Sequence, residues 1–566
     1  MQPHTAESIG AVTVVCTSRS GPLTGHAMMA TDVRTTTRAY GITGDGYAPG
    51  GAFVSGGRAV PADSDPDLWL TLRVAAMTSH ADVTETTGGW TPRGDRLDAA
   101  LTVAARKAGI ERSEMLFRAS EIATLPYAVR RGLMATFHRG LHGGTLTACV
   151  KGAPDRVLAL CSHLQSDGAR VPLDDIARAS VLTANRLMAT RGLRVIALAR
   201  GDVDRPQEDA LGNLTFAGLI GLSDPPAPGA AEAIEAFRQA GVRTVMLTGD
   251  QRETAAATAG ELGLEHGSPA VLDGSELERM PDVDLRERLG RVNVFSRVTP
   301  QAVRRIVNGL RLRGEVVMMV GPPVTQAATL RSGTVAAPAW RSATALDEVV
   351  SAIRQGRVYI DNVRKLVFYI VSCGLAGTLL FLGAGGFGWT MPVSHAVWLA
   401  LVTAVFPALA LKAEPAQPDV MRRPPRTLRA ALMSPAFVRA IVVYAAFLTV
   451  ATLLVVAWSR AAGIPAERAM TMNFMALGLA QLLHLGNARD RGPVLSPARA
   501  FANAPALLAV ILALTLQVMT VTAAPLREWL HLAPLAATDW AVVAAAGVLP
   551  ALAGQLLKRT HRARVV

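Results

Sequence analysis

Four short apolar runs in the first 365 residues end beside residues that could do chemistry. Val12 to Cys16 leads to Ser18, Phe216 to Leu222 to Asp224, Val242 to Leu247 to Thr248, and Val316 to Val320 to Gly321. Buried parallel strands feeding helices read this way, and open α/β sheets do their chemistry beyond the carboxyl ends of the strands. The pattern therefore predicts that Ser18, Asp224 and the turn Thr248-Gly249-Asp250 meet. A serine hydroxyl is a poor nucleophile without a base, and Asp250 also suits a plain helix cap.

These groups need a scaffold, and the chain divides into two unlike halves to supply it. Residues 1 to 365 alternate strand-like and helix-like segments, with an insertion from about Thr35 to Gly212 that is large enough to be its own domain. From Leu366 the chain becomes six apolar stretches, each near the roughly 20 residues of a bilayer-spanning helix. They are Leu366 to Gly388, Val393 to Leu411, Ala436 to Trp458, Met470 to Leu485, Pro505 to Ala523 and Trp540 to Leu557. If Leu366 enters from the cytoplasm, thirteen Lys and Arg residues flank the spans on that side. Only Arg460, Arg468 and Arg527 lie on the other. The positive-inside rule then predicts soluble domains and both termini in the cytoplasm.

Composition agrees with this division. Half of the residues are apolar and 18% are charged, with a mean hydropathy of +0.29, which excludes a disordered chain or a disulfide scaffold. Cys16, Cys149, Cys161 and Cys373 form no CxxC pair and read as reduced thiols. Of the formal charge of +13, +10 lies beyond residue 365 and +3 before it. The basic excess thus belongs to membrane-flanking loops; the expected surroundings are a lipid bilayer, with no nucleic-acid partner. A cation crossing hydrocarbon needs carboxylates or many carbonyls, yet no Asp or Glu occurs from Leu366 to Ala413. Asn473, Gln481, His484 and Gln517 suit interhelical hydrogen bonds better than an ion path. His138 and His142 have i, i+4 spacing, but Gly140 and Gly143-Gly144 point to a turn and no metal site is expected.

Several segments in order resemble the P-type cation-transporting ATPases, in their calcium-pump branch. They are Lys151-Gly-Ala-Pro-Asp155, Ser223-Asp-Pro-Pro226, Met246-Leu-Thr-Gly-Asp250, Gly356-Arg-Val-Tyr-Ile-Asp-Asn-Val-Arg-Lys365, Pro407-Ala-Leu-Ala-Leu411 with Glu414-Pro, and Asp419-Val-Met-Arg-Arg-Pro-Pro-Arg426. The likeness runs from about Thr5 to Leu557. It implies an α/β fold joined to an all-α membrane domain: a haloacid-dehalogenase-like (Rossmannoid) phosphorylation domain in two segments, 1–34 and 213–350, an inserted α+β nucleotide-binding domain over 35–212, and a membrane domain over 351–566 with six helices. ATP as cofactor and the plasma membrane as location are implied with it. So are an actuator domain and four further helices that would precede residue 1.

The same resemblance assigns residues. Ser18 stands where the family motif Asp-Lys-Thr-Gly-Thr has its phosphorylated aspartate, Arg19 where it has lysine, and Thr248, Gly249 and Asp250 complete the catalytic set. Tyr127 stands at the adenine-stacking position, Lys151 and Gly152 in the nucleotide pocket, and Arg194 where an arginine reaches phosphate; Asp98 replaces a glutamate, and Asp224 completes this group. At the last strand end the family's Thr-Gly-Asp-Gly-Val-Asn-Asp-Ala-Pro reads Val320-Gly321-Pro322-Pro323-Val324-Thr325-Gln326-Ala327-Ala328, which leaves no carboxylate for Mg²⁺. A helix lysine of the family falls on Val303. Its membrane ion ligands fall on Gly374, Gly377, Ala400 and Ala404, and Thr403 alone survives.

An acyl phosphate requires a carboxylate nucleophile, and losing a nucleophile costs on the order of a millionfold in rate. The expectation is therefore a truncated, catalytically inactive relative with a nucleotide-binding or regulatory role. The alternative is the C-terminal chain of a split cation pump, completed by another P-type ATPase chain that supplies the actuator domain. A third is a decaying gene product without function.

Overall fold

The computed structural model describes residues 3–24, 28–87, 89–128, 131–140, 145–264, 270–321, 335–336, 346–386, 391–489 and 503–562. They form two compact units. One holds residues 13–238 and 242–350, and the other holds residues 1–12, 239–241 and 351–566.

The first unit is built on two large sheets, with a separate hairpin of Asp82–Thr86 and Gly89–Arg93. Val14–Ser18, Arg243–Leu247 and Val317–Val320 are short β-branched or apolar runs buried on both faces, the composition of central parallel strands. Val14–Ser18 lies between the other two, parallel to both. Outside them lie Val294–Ser296, Val271–Asp273 and the two-residue strand Val335–Ala336, again parallel. The carboxyl ends of the three central strands therefore point the same way. Burial pushes the Cys16 and Cys149 thiols up to about 12, so both stay protonated at neutral pH.

One strand departs from its expected place. The run Phe216 to Leu222 belongs to Leu214–Ser223, which joins no strand of the parallel sheet. It pairs antiparallel with Arg194–Val203 and with Met29–Arg34, in an eleven-stranded sheet that carries the rest of the insertion. A run buried on both faces looks alike in either sheet, and the apolar pattern carries no record of which neighbour it pairs with. His138 is buried in the strand Leu133–Arg139 of this sheet, with Nε2 2.9 Å from Thr136 Oγ1; His142 lies outside the described residues.

The second unit is helical. Among the described residues, four helices are long and apolar enough to cross a membrane: Leu346–Gly385, Pro435–Ala461, Ala504–Thr522 and Ala537–Arg559. Ala466–Arg489, with 24 residues, carries Asn473, Gln481, His484 and Asn487 and is mostly buried. The stretch Val393 to Leu411 is helical but not regular throughout. It runs as Val393–Leu399, a wide π-type turn over Ala400–Val405, and Phe406–Lys412. Pro407 supplies no N–H to the carbonyl four residues back. That carbonyl, Thr403 O, instead accepts from Tyr369 Oη at 2.6 Å, and Tyr369 Oη also reaches Gln481 O at 3.1 Å.

Polar groups in this unit pair with one another. Thr403 Oγ1 donates to Gln481 Oε1 at 2.8 Å, and Gln481 Nε2 donates to Cys373 O at 3.2 Å. His484 Nε2 lies 2.9 Å from Ser372 Oγ, and Trp398 Nε1 donates to Gln517 Oε1 at 3.1 Å. The expected interhelical role thus holds for Gln481, His484 and Gln517, but Asn473 Oδ1 is buried without a partner. Near the helix Pro3–Gly10 two backbones touch: a Cβ on Gly10 would lie 2.5 Å from Gly356 C, so both positions must be glycine.

Glu414 and Arg489 form a buried ion pair in this unit, at 3.2 Å, with both side chains under 10% exposed. Asn503 Nδ2 adds a bond of 2.6 Å to the same carboxylate. Removing one partner of such a pair strands the other charge and costs about 3–5 kcal/mol. Arg489→Met is expected to lower the thermal midpoint of the detergent-purified protein sharply, and adding Glu414→Gln to recover part of the loss. Equal midpoints for the single and double variants would contradict this account.

Candidate functional site

The site begins with the turn that follows Ser18. Leu23 N and Thr24 N both donate to Arg19 O, at 3.2 and 3.0 Å, and Gly21 takes φ +100° to close the loop. This fold-back leaves the Arg19 side chain 1% exposed among the ends of three strands. Its Nη2 donates to Asp224 Oδ2 at 3.2 Å, its Nε lies in ion-pair contact with Asp250 Oδ2 at 2.8 Å, and its Nη1 reaches Thr258 Oγ1 at 3.4 Å. Arg194 Nε approaches the other Asp250 oxygen at 3.6 Å. Thr248, Asp250 and Asp224 therefore meet at the turn that follows Ser18, as the strand ends predict, although Asp224 arrives from the second sheet, and Arg19 and Arg194 join them there.

The two carboxylates differ. Burial pushes Asp250 up, but Arg19, then Arg194 and the Thr248 hydroxyl at 2.5 Å, together hold it below the usual carboxylate range. Asp224 ends above its usual value, because burial and the nearby Asp250 charge outweigh the Thr24 hydroxyl at 2.6 Å and Arg19. The Ser18 hydroxyl donates to Ser20 O at 3.3 Å. Gly321 closes the other side: a Cβ there would lie 2.6 Å from Ser18 Oγ. The segment Pro322 to Ala328 lies outside the described residues.

The expected nucleotide residues separate into two places. Asp95 caps the helix Arg96–Lys107 through Leu97 N and Asp98 N, which turns Asp98 inward to accept from His80 N at 3.0 Å and from Lys151 Nζ. Lys151, on the strand Leu146–Gly152, is 5% exposed. Burial pulls its ammonium below the usual lysine value, against the opposing pull of Asp98. It is thus an internal ion pair and not a solvated surface cation. Gly152 is needed for packing, since a Cβ would lie 2.5 Å from Gly132 O. Tyr127 lies on the edge strand Ser120–Ala128 and is 57% exposed. Arg194 is at the strand-end cluster, away from Lys151 in the chain's pairing: it opposes Leu222, while Lys151 opposes Leu198.

The role of Arg19 as a bridge between two acids was not legible beforehand. Its signal was present, because two carboxylates brought to one buried spot need a cation, and Arg19 directly follows a strand end aimed there.

The chain is similar in sequence to known proteins. The family profile described as "P-type ATPase, cytoplasmic domain N" matches residues 68–229, and that described as "Cation transporting ATPase, C-terminus" matches residues 390–560. "Probable cation-transporting ATPase F" of Mycobacterium tuberculosis (strain ATCC 25618 / H37Rv) is 31% identical over 500 residues, covering 83% of this chain and 55% of that protein. "Calcium-transporting ATPase" of Bacillus subtilis (strain 168) is 28% identical over 577 residues, covering 98% and 64%. "Calcium-transporting ATPase 1" of Yarrowia lipolytica (strain CLIB 122 / E 150) is 30% identical over 491 residues, covering 83% and 52%. The chain thus spans between about half and two thirds of the length of these relatives. With matching profiles in both its soluble and its membrane part, the chain belongs to the P-type cation-transporting ATPases and is similar to their calcium-transporting members.

Proposed function

We propose that this chain is a catalytically silent, six-span member of its family in the cell membrane, with soluble parts in the cytoplasm, and that it acts by binding instead of turnover. One observation carries this reading: the strand end that should present a phosphorylatable carboxylate presents the Ser18 hydroxyl, and the carboxylates beside it are already engaged. Asp224 and Asp250 both face the buried Arg19 guanidinium. Neither is free to serve as the base that a serine nucleophile needs.

The same engagement argues against the family's Mg²⁺. The ion needs oxygen donors in near-octahedral array. Among the described residues, the two acids at this site are held by a guanidinium that a divalent cation would have to displace. These residues do not fit the metal. For ATP the residues fit in part: Tyr127 is exposed enough to stack on a base and Arg194 to meet a phosphate, whereas Lys151 would have to give up Asp98. Binding of nucleotide without phosphoryl transfer is what this set supports. In the membrane part, Thr403 spends its hydroxyl on Gln481 and no acid lies between Leu366 and Ala413, which supports loss of cation transport as well.

Two measurements test the reading. With radiolabelled ATP, acid-quenched full-length protein is expected to retain no covalent phosphate, with or without Ca²⁺, and Ser18→Asp is expected not to restore it. Acid-stable label that turns over with a cation would refute the proposal.

The second concerns pH. The Asp250 carboxyl is held low, so its contribution to stability is in place above about pH 4 and is lost as pH falls through the lower folded value. Arg19→Met leaves burial as the dominant influence and raises that carboxyl. The variant should lose about 3–5 kcal/mol at pH 8, and the gap to the unaltered protein should narrow at pH 5. Thermal midpoints in detergent at the two pH values read this directly; a gap that stays constant or widens on acidification would count against the buried pairing.

A further inference from the structure

Four arginines, Arg357, Arg364, Arg423 and Arg426, line one small pocket of the helical unit, with one acid, Asp361, on its wall. Arg423 is committed to acids: its Nη1 donates to Asp361 Oδ2 at 3.1 Å and its Nε to Asp419 Oδ2 at 2.6 Å. Arg357 has no carboxylate in ion-pair contact among the described residues. Its side chain is buried, and its Nη atoms donate to three backbone carbonyls, Arg423 O at 2.8 Å, Val420 O at 3.2 Å and Ala240 O at 2.8 Å. A guanidinium held only by neutral acceptors keeps its whole charge. In a dry setting that charge acts over several ångströms without contact. Arg426, by contrast, is exposed and pairs with no described residue.

The pocket lies where the apolar helices begin. Arg364 comes just before the apolar stretch that starts at Leu366, and its guanidinium lies 4.8 Å from the ring centre of Phe437, in the first turn of Pro435–Ala461. On that helix the exposed Arg439 is followed by an outward apolar row, in which Val438 is 49% and Val442 is 52% exposed. A surplus of guanidinium donors beside an outward apolar row is the complement of a phospholipid, whose phosphate meets basic groups at the membrane edge while its chains follow the helix. The pocket holds about 50 Å³, against the roughly 10–15 Å³ that admits one water. We propose that it binds the phosphate of an anionic phospholipid. Arg426 and Arg364 donate charge-assisted hydrogen bonds to the phosphate oxygens, Arg357 supports the anion through its field, and the acyl chains run past Val438 and Val442. A headgroup with its own cation, such as choline, brings positive charge to a place that already has too much. The inference needs the membrane part alone and is independent of the reading of Ser18.

The test uses the full chain in detergent micelles, with native mass spectrometry to titrate dioctanoyl phosphatidylglycerol and dioctanoyl phosphatidylcholine, which share their chains and differ in headgroup charge. The anionic lipid is expected to bind about tenfold more tightly, and Arg426→Gln and Arg364→Gln each to weaken it about fivefold. Arg559→Gln, at an exposed arginine outside the pocket, is expected to leave its affinity unchanged. Glycerol phosphate in large excess is expected not to displace it. Equal affinity for the two lipids overturns the proposal, as does an unchanged affinity in Arg426→Gln. Equal weakening by Arg559→Gln, the mark of diffuse surface charge, overturns it as well, and displacement by glycerol phosphate assigns the pocket to a soluble phosphate and overturns it too. Thermal midpoints confirm that each variant is folded; should Arg364→Gln fail to fold, the exposed Arg426 position still decides.

Discussion

The Arg19 guanidinium ties together what the soluble unit brings to one point. It follows the central strand of the parallel sheet, meets Asp250 from the neighbouring strand, and meets Asp224 from the end of a strand in the other sheet. A planar fork with several donors can reach two carboxylates and a hydroxyl at once, which a single ammonium cannot match in geometry. Without it, two acids would share a dry pocket with only the half-exposed Arg194 to offset them. The interaction that holds the strand ends together is therefore also the one that engages both acids.

The helical unit applies the same rule to neutral groups. Where backbone bonding is interrupted at Pro407, a tyrosine hydroxyl takes up the stranded carbonyl, and the glutamine, threonine, histidine and serine side chains around it satisfy one another. Among the described residues, His395 Nδ1, Asn473 Oδ1 and Asn487 Nδ2 are buried atoms at which this mutual satisfaction stops.

Much of this could be read from residue order, and the failures have definite causes. The strand Val242 to Leu247 and the turn Thr248-Gly249-Asp250 were plain, because an apolar run ending in polar turn residues has few other meanings. Leu214–Ser223 lies outside the parallel sheet that its apolar run suggests, since burial on both faces erases the alternation that would identify its neighbours. Lys151 was visible as a cation, but its confinement depends on Asp98, fifty-three residues away, being turned inward by a cap at Asp95. The break at Ala400–Val405 is similar: Pro407 announces trouble, while the groups that resolve it come from other helices.

That break also bears on how the protein is made. Tyr369, which takes up the stranded carbonyl, is synthesised before this stretch, and Thr403 Oγ1 finds Leu399 O at 2.5 Å on the stretch itself, so both groups are met before Gln481 is made and the later helix Ala466–Arg489 brings Thr403 its second partner, not its first.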